Sequence, residues 1–392
     1  MIETCDFVVI GAGIAGASAA YALQQHGRTV LLEREPLPGQ HTTGRSAAFL
    51  VESYGAPVVR TLTRASRPFF ESPPEGFAAE GLLHSNPVLW IANNAQRASL
   101  AANLEEGRAS GAPLEEIDLE RAYSLCPVLR KDYVAAAVVE ASAAHIDVAG
   151  LLDAFVSGFR RRGGELVSKA EVTRIRPQRA SALGMGGTPS SWTIEAGGRT
   201  FSTGIVVNAA GAWSDEIGRL AGAQPIGLQP LRRTAITFAP PDGCDVRDWP
   251  NVIDADEAFY FKPEGAVLLA SPCDETPSEP CDPRAEEIDI AMAADRVQRV
   301  STFEIGHIQR AWAGLRSFVR DRGPVIGMDP DLPGFFWLAG QGGFGIMTSP
   351  AASRATAELA IGGKLPRDLE MLGLEPADLS PARLRVARDR NS

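Results

Sequence analysis

Three glycines near the amino terminus are the first residues whose spacing could do chemistry. Gly11, Gly13 and Gly16 stand in the run Gly11-Ala12-Gly13-Ile14-Ala15-Gly16. In a G-x-G-x-x-G turn the first glycine permits a tight bend and the second lets backbone approach a pyrophosphate. The third lets the following helix lie close to the strand, with its N-terminal N–H groups facing the phosphate charge. The triplet alone is weak evidence, and its context decides. Asp6-Phe7-Val8-Val9-Ile10 reads as a buried strand. Ala17 to His26 reads as an alanine-rich helix closed by Gly27, and Thr29-Val30-Leu31-Leu32 as the next strand. Glu33 then sits about 20 residues beyond the turn, where a carboxylate accepts hydrogen bonds from ribose hydroxyls and disfavours a 2′-phosphate. The unit is a dinucleotide site, and the motif by itself does not separate NAD from FAD.

Two later stretches bear on that choice. His41-Thr42-Thr43-Gly44-Arg45-Ser46-Ala47-Ala48 is small and polar with one arginine. It can wrap a further length of cofactor and meet the pyrophosphate through Arg45 and Ser46; a solvated polar loop is the alternative. Near the other end, Gly334 to Gly340 reads as a strand. Gln341-Gly342-Gly343-Phe344-Gly345-Ile346 then turns into a helix starting near Ile346. A helix N-terminus beside an electron-rich ring stabilises an anionic reduced flavin. An early glycine triplet with a late Gly-Gly helix start is a flavoprotein arrangement rather than a nicotinamide one. Between them, Ile205-Val206-Val207-Asn208-Ala209-Ala210-Gly211-Ala212-Trp213-Ser214 is a strand ending in small residues, as expected at the cofactor edge of a doubly wound sheet.

The elements that must position these groups span 392 residues, enough for about two or three domains. With 45% apolar and 22% charged residues the composition is that of a globular enzyme, and 39 glycines fit many tight turns. A net charge of −10 without a basic stripe excludes a nucleic-acid partner. Five cysteines form no CxxC pair, so a reduced cytoplasmic protein is expected, with a Cys273–Cys281 disulfide as the alternative. Five scattered histidines give no HxxxH or HExxH, and no metal site is expected. No apolar run approaches the roughly 18 residues of a membrane span. The expected location is cytoplasmic, free or peripherally associated with a membrane. Glu3 and Asp6 occupy what would be the basic region of a signal peptide, so the first strand is expected to stay in the mature protein.

The fold expected is α/β: a Rossmann-type domain over 1–50, 145–220 and 325–392, interrupted by an α+β substrate domain on an antiparallel sheet over 51–144 and 221–324. Helix patterns cover Pro57 to Phe70, Ala95 to Gly107, Asp118 to Leu125 and Ser214 to Leu220. Strand patterns cover Leu82 to Ile91, Val134 to Val139, Arg233 to Phe238, Phe259 to Pro263, Ala266 to Ser271 and Gln309 to Leu315, with a hairpin turn at Pro263-Glu264-Gly265. Ser181 to Ser190 reads as a flexible hairpin tip. The charged, proline-bearing tail from Leu365 reads as a surface segment.

Over nearly its full length the chain resembles the D-amino-acid oxidase-like FAD-dependent oxidoreductases, and within them the bacterial D-arginine dehydrogenases. The matching stretches are Val9 to Gly16, Leu32 to Arg34, Ser46-Ala47-Ala48, Tyr54-Gly55, Val207 to Trp213, Gly227-Leu228-Gln229-Pro230, Phe259-Tyr260, Trp312-Ala313-Gly314-Leu315-Arg316-Ser317-Phe318 and Gln341 to Ser349. The resemblance implies non-covalent FAD, hydride transfer from substrate Cα, and an imino acid that hydrolyses to a 2-oxo acid and ammonia. It implies cofactor contacts from Ile14, Ala15, Arg34, Val172, Ala210, Gly211, Trp213, Gly314, Arg316 and the run Gly342 to Ile346, beside those already named. Arg233 and Arg316 would hold the substrate carboxylate, which suits the bidentate guanidinium fork. Strand alternation turns only one of Arg232 and Arg233 inward, and Arg233 is the one expected there. Tyr54 and Tyr260 would bond the substrate, with core packing as the alternative for each. Val88 falls where arginine-preferring members need an acid, and Phe49 and Val51 fall where polar residues are expected; with Glu52 and Gln341 they complete the pocket. A cationic side chain left unpaired there is costly, so the substrate expected is a D-amino acid with a neutral or hydrophobic side chain. Glu52 is the one nearby acid that could answer a cation. No general base is legible, and the electron acceptor (a quinone, another carrier or oxygen) is left open. The alternatives are a glycine- or sarcosine-type secondary amine oxidase and a non-catalytic flavoprotein subunit.

Overall fold

The computed structural model describes residues 1–179, 189–241 and 243–385. Its first sheet runs in the order Val172–Arg179, Pro189–Ala196, Arg199–Asn208, Ile2–Ile10, Thr29–Leu32, Glu165–Val167, with Phe335–Ala339 also on Arg199–Asn208 and Val325–Met328 beyond it. The central pairs are parallel. Both faces of such a sheet are covered, so its strands need apolar residues at every position rather than at alternate ones. Phe7, Val9, Leu31, Val207, Phe336 and Leu338 point to one core. Their neighbours Val8, Ile10, Val30, Leu32, Val206, Phe335 and Trp337 point to the other. Helices Ile14–Leu23, Val148–Arg161 and Gly345–Gly362 cover the first face; the hairpin carrying Trp192 and Ile194 covers the second. The three strands that matter most end side by side at Ile10, Asn208 and Ala339, each running into small residues.

The second sheet has nine strands, with Gln229–Phe238, Val267–Ser271, Tyr260–Glu264, Asn251–Asp254 and Val88–Ala92 at its centre and Arg310–Phe318 along Gln229–Phe238. It is antiparallel except where Asn251–Asp254 runs parallel to Val88–Ala92. The strand pattern over Leu82 to Ile91 splits into Leu83–Ser85 and Val88–Ala92, because Pro87 lacks the N–H that a continuous ladder requires. Helices Val148–Arg161 and Glu287–Val300 were not expected from the sequence. The first helix stops at Leu23, short of Gly27. The tip expected over Ser181 to Ser190 falls mostly outside the described residues.

Two assignments change. Helix Pro57–Glu71, expected with the substrate domain, buries Val59, Leu62 and Phe70 in the core of the cofactor domain against helix Gly345–Gly362. Among the described residues, 366–385 do not form the surface segment expected, since Leu365, Leu369, Leu374 and Leu379 are buried in that same core. Their spacing was hidden by the charged residues between them. Leu379 is 0% exposed, so Leu379→Ala should cost about 2–5 kcal/mol of stability, read as a fall in the urea midpoint without loss of slope.

Among the described residues no helix is long and apolar enough to cross a membrane, and no cluster of potential ligands could hold a metal ion. All five cysteines are free, Cys273 and Cys281 included.

Candidate functional site

A groove of about 590 Å³ opens along the carboxyl ends of the first sheet and continues to the face of the second. The glycine turn forms its floor. Gly11 has φ +100°, and a Cβ there would lie 2.6 Å from the Ala209 carbonyl oxygen. A Cβ on Gly16 would lie 1.8 Å from the oxygen of Gly11. Gly13 precedes the helix, whose Ile14 N–H donates to Thr43 Oγ1 at 3.0 Å. Glu33 is buried and takes hydrogen bonds from the N–H groups of Ala12 and Glu35 at 2.7 and 2.9 Å. It still lines the groove, and a carboxylate has about four acceptor positions. Arg34 stacks over Trp213 at 3.8 Å, with His41 against the same ring, at one end of the groove.

Ile14, Ala15, Ser46, Ala47, Val172, Ala210, Gly211, Gly314, Gln341, Gly342, Gly343, Gly345 and Ile346 all line the groove. Gly16, Ala48 and Phe344, expected as cofactor contacts, are not among the residues lining the groove. Arg45 lines it as well, but its guanidinium is engaged: it donates to the Ala313 carbonyl at 2.9 Å, to that of Pro283, and to Asp282. Arg45 therefore joins the loop to strand Arg310–Phe318, a bond that Thr42 repeats by donating to the Leu315 carbonyl at 2.8 Å.

The groove's other end is built by strand register. Leu231 stands opposite Arg316 and Arg233 opposite Gly314, so Arg233 and Arg316 are diagonal neighbours on one face. Arg232 lies on the other face, paired with Glu286 and Asp289. Arg233 donates to the Asp274 carbonyl at 2.8 Å and pairs with Glu275 at 3.2 Å. Among the described residues Arg316 has no carboxylate within ion-pair distance. Gly343 makes room for it, since a Cβ there would fall 2.6 Å from Arg316 Cζ. Tyr260 lines the same end, and burial raises its phenol above the usual range.

Tyr54 borders a second cavity of about 160 Å³, with Trp90, Leu100, Leu104, Leu114, Val138, Asn103 and Glu257. Its ring packs edge-on against Phe344 at 5.2 Å, and its hydroxyl interacts with both Arg316 and Glu257. The remaining pocket residues lie away from the groove. Val88 and Val51 are in the core around Trp90. Glu52 is bound to Arg67 of helix Pro57–Glu71, so it does not answer a cationic substrate from where it stands. Phe49 packs against Lys262 and His145.

Sequence reasoning missed Glu257 and Cys273. Both have left-handed backbone, at φ +55° and +54°, and both feel the charges of Arg233 and Arg316. Burial raises the Cys273 thiol, whereas Glu257 is exposed and its carboxyl interacts with Tyr54 and Arg316. Non-glycine residues held in that region gather at functional sites. The only sequence signal was the acidic turn Asp254-Ala255-Asp256-Glu257.

Away from the groove, against Phe49, burial and then the charge of Lys262 push His145 down to about 4. The unfolded chain, with a histidine near 6.5, takes up the proton first. Stability is therefore full above about 6.5 and falls as pH drops toward 4, by at most roughly 3 kcal/mol. Denaturant titrations at pH 7 and 4.5 should show the loss, and His145→Gln should reduce the difference.

A family model described as FAD dependent oxidoreductase, DAO, matches residues 6–359. Mitochondrial sarcosine dehydrogenase of Mus musculus is 27% identical over 384 residues, covering 94% of this chain and 41% of that protein. The chain thus spans about two fifths of that relative. FAD-dependent oxidoreductase domain-containing protein 1 of Xenopus laevis is 26% identical, covering 92% of this chain and 80% of that one. Among solved structures, L-proline dehydrogenase from P. horikoshii superposes with a TM-score of 0.82 at 21% identity, over 98% of both chains. Glycine oxidase from Geobacillus kaustophilus gives 0.78 at 21%, over 91% of this chain and 95% of that one. These structural likenesses establish the fold.

Proposed function

Because the chain belongs to the FAD-dependent oxidoreductase family DAO, we propose that it oxidises the Cα–N bond of a D-amino acid with a neutral or hydrophobic side chain, giving an imino acid that hydrolyses to a 2-oxo acid and ammonia. The observation that carries this reading is Arg316: a guanidinium in the groove, beside Tyr54 and Tyr260, with no carboxylate partner among the described residues. A cation left in that state is matched by an anionic ligand, and a guanidinium fork suits a carboxylate.

The groove fits FAD on its own terms. The turn at Gly11 and Gly16 is too tight to admit any Cβ, Glu33 retains acceptor capacity toward a ribose, and Gly343, Gly345 and Ile346 offer backbone N–H groups at a helix start. Bound without a covalent link, FAD supplies the hydride acceptor. The chain's residues supply position. Arg316 and Arg233 fix the carboxylate, which leaves Cα the freedom of one rotation, and the walls limit that rotation. The amine must be neutral when the bond is oxidised, since an ammonium has no lone pair to give to the forming imine. Engagement of Glu52 by Arg67 supports a neutral side chain.

Glycine, or a secondary amine such as sarcosine, is the second reading, favoured by the names of the relatives. A non-catalytic subunit is disfavoured by an uncommitted Arg316. One experiment separates them. Yellow holoprotein is mixed without air with D-Leu, D-Met, D-Phe, D-Arg, their L-enantiomers, glycine, sarcosine and L-proline, and loss of flavin absorbance is followed. Fast bleaching by D-Leu, D-Met or D-Phe is expected. Preference for D-Arg overturns the side-chain assignment, preference for sarcosine transfers the proposal to the second reading, and no bleaching removes both. Admitting air then separates an oxidase from a dehydrogenase using a quinone or another carrier.

A further inference from the structure

Arg316 has no carboxylate partner among the described residues, whereas Arg233, its diagonal neighbour, meets one of the chain's own. Glu275 stands there by register. Strand Thr276–Pro277 pairs antiparallel with Gln229–Phe238, Pro277 opposite Leu231 and Thr276 opposite Arg232. The next residue back, Glu275, therefore comes to Arg233. Asp274 fixes its other side by accepting from the Thr234 N–H and hydroxyl at 2.7 and 3.0 Å. A third guanidinium completes the group: Arg322 donates through Nη1 and Nη2 to the two oxygens of Glu275 at 3.1 and 2.7 Å. Arg322 is itself held, stacked over the Phe318 ring at 3.9 Å. Neither Glu275 nor Arg322 lines the groove, and Arg233 does. Arg233 gives Nε to the Asp274 carbonyl and Nη2 to Glu275, at 2.8 and 3.2 Å. Its Nη1 has no partner among the described residues.

An acid beside a carboxylate-binding arginine weakens the attraction for every carboxylate. Its use lies in discrimination between them. The side chain of Arg322 is 49% exposed, so water screens its charge, whereas that of Arg233 is 11% exposed. Glu275 thus acts chiefly on the guanidinium that faces the groove. Resting on the reading that Arg316 takes a carboxylate, we propose that Glu275 is a specificity residue for ligand charge: by occupying Arg233 it leaves Arg316 as the one free anchor, so that ligands with one carboxylate are admitted and those with two are turned away. It is a positioning residue, acting through Arg233 without touching the substrate. A second carboxylate would meet a guanidinium already paired, with a like charge beside it. Without Glu275, Arg233 would be free to take that second carboxylate. The partly free Nη1 still lets Arg233 share the first one with Arg316.

The test compares two ligands with the same heavy-atom skeleton and no amine to oxidise. 4-Methylpentanoate carries one carboxylate, and succinate replaces its branched end with a second. Binding of each to holoprotein is measured by calorimetry at pH 7.5, for the native protein, Glu275→Gln and Glu275→Asp. Whatever the walls prefer is common to all three proteins and cancels when the two affinities are compared as a ratio. Glu275→Gln is expected to shift that ratio toward succinate by about tenfold or more. Glu275→Asp keeps the charge and should stay near the native ratio. Glu275 is a third exposed and glutamine nearly matches its shape, so the fold should stand; should Glu275→Gln lose its flavin, Glu275→Ala serves the same comparison. An unchanged ratio, equal weakening of both ligands, or a shift of the same size in Glu275→Asp overturns the proposal while leaving the carboxylate site intact. Failure of the native protein to bind either ligand overturns the carboxylate reading beneath it, and the proposal with it.

Discussion

Arg316→Ala lowers kcat/KM for the amine substrate by roughly 10²–10³-fold, since removing one member of a buried charge pair costs about 2–5 kcal/mol and each 1.4 kcal/mol is about tenfold. Arg233 does not make up the loss, because its guanidinium is held by the Asp274 carbonyl and Glu275. Arg316→Lys should recover only a minor part, as a point charge replaces a two-pronged fork. Steady-state kinetics at matched flavin content check this. A change smaller than tenfold would remove Arg316 from the site.

Gly16→Ala should yield protein that does not retain flavin. The added methyl would lie 1.8 Å from the Gly11 carbonyl oxygen and 3.3 Å from Ala209 Cβ. The first of these is backbone, so it cannot be relieved by a side-chain rotation. The helix must move off the strand, and the turn proposed to cradle the diphosphate opens with it. FAD affinity is expected to fall at least about a hundredfold, a loss of roughly 3 kcal/mol, with far-ultraviolet circular dichroism largely kept. Gly81→Ala is the matched control, because a Cβ there meets nothing within 4 Å. Normal flavin content in Gly16→Ala would contradict the cradle.

What the sequence made legible was local or periodic. The strand, the glycine turn and Glu33 are contiguous enough that their chemistry follows from spacing. Arg233 and Arg316 lie 83 positions apart, and neither is marked by spacing. They were named from a family resemblance, and strand register explains how they meet. Legibility failed where tertiary partners decide. Glu52 looks free until Arg67 arrives from helix Pro57–Glu71. That helix has a strong apolar face, but nothing in its residues says which domain the face covers. Val88 and Val51 are apolar for the core rather than for a ligand. Glu257 was invisible because its conformation depends on a buried Asp254 and on Gln96, about 160 residues away in the chain. A left-handed glutamate has no sequence signature, whereas a left-handed glycine does.

The most direct test is a crystal structure of the yellow holoprotein soaked with 4-methylpentanoate. The account predicts the diphosphate against the turn from Gly11 to Gly16, and the ligand's carboxylate within hydrogen-bond distance of the Arg316 guanidinium beside Tyr260. A carboxylate bound elsewhere, with Arg316 turned out of the groove, would contradict it.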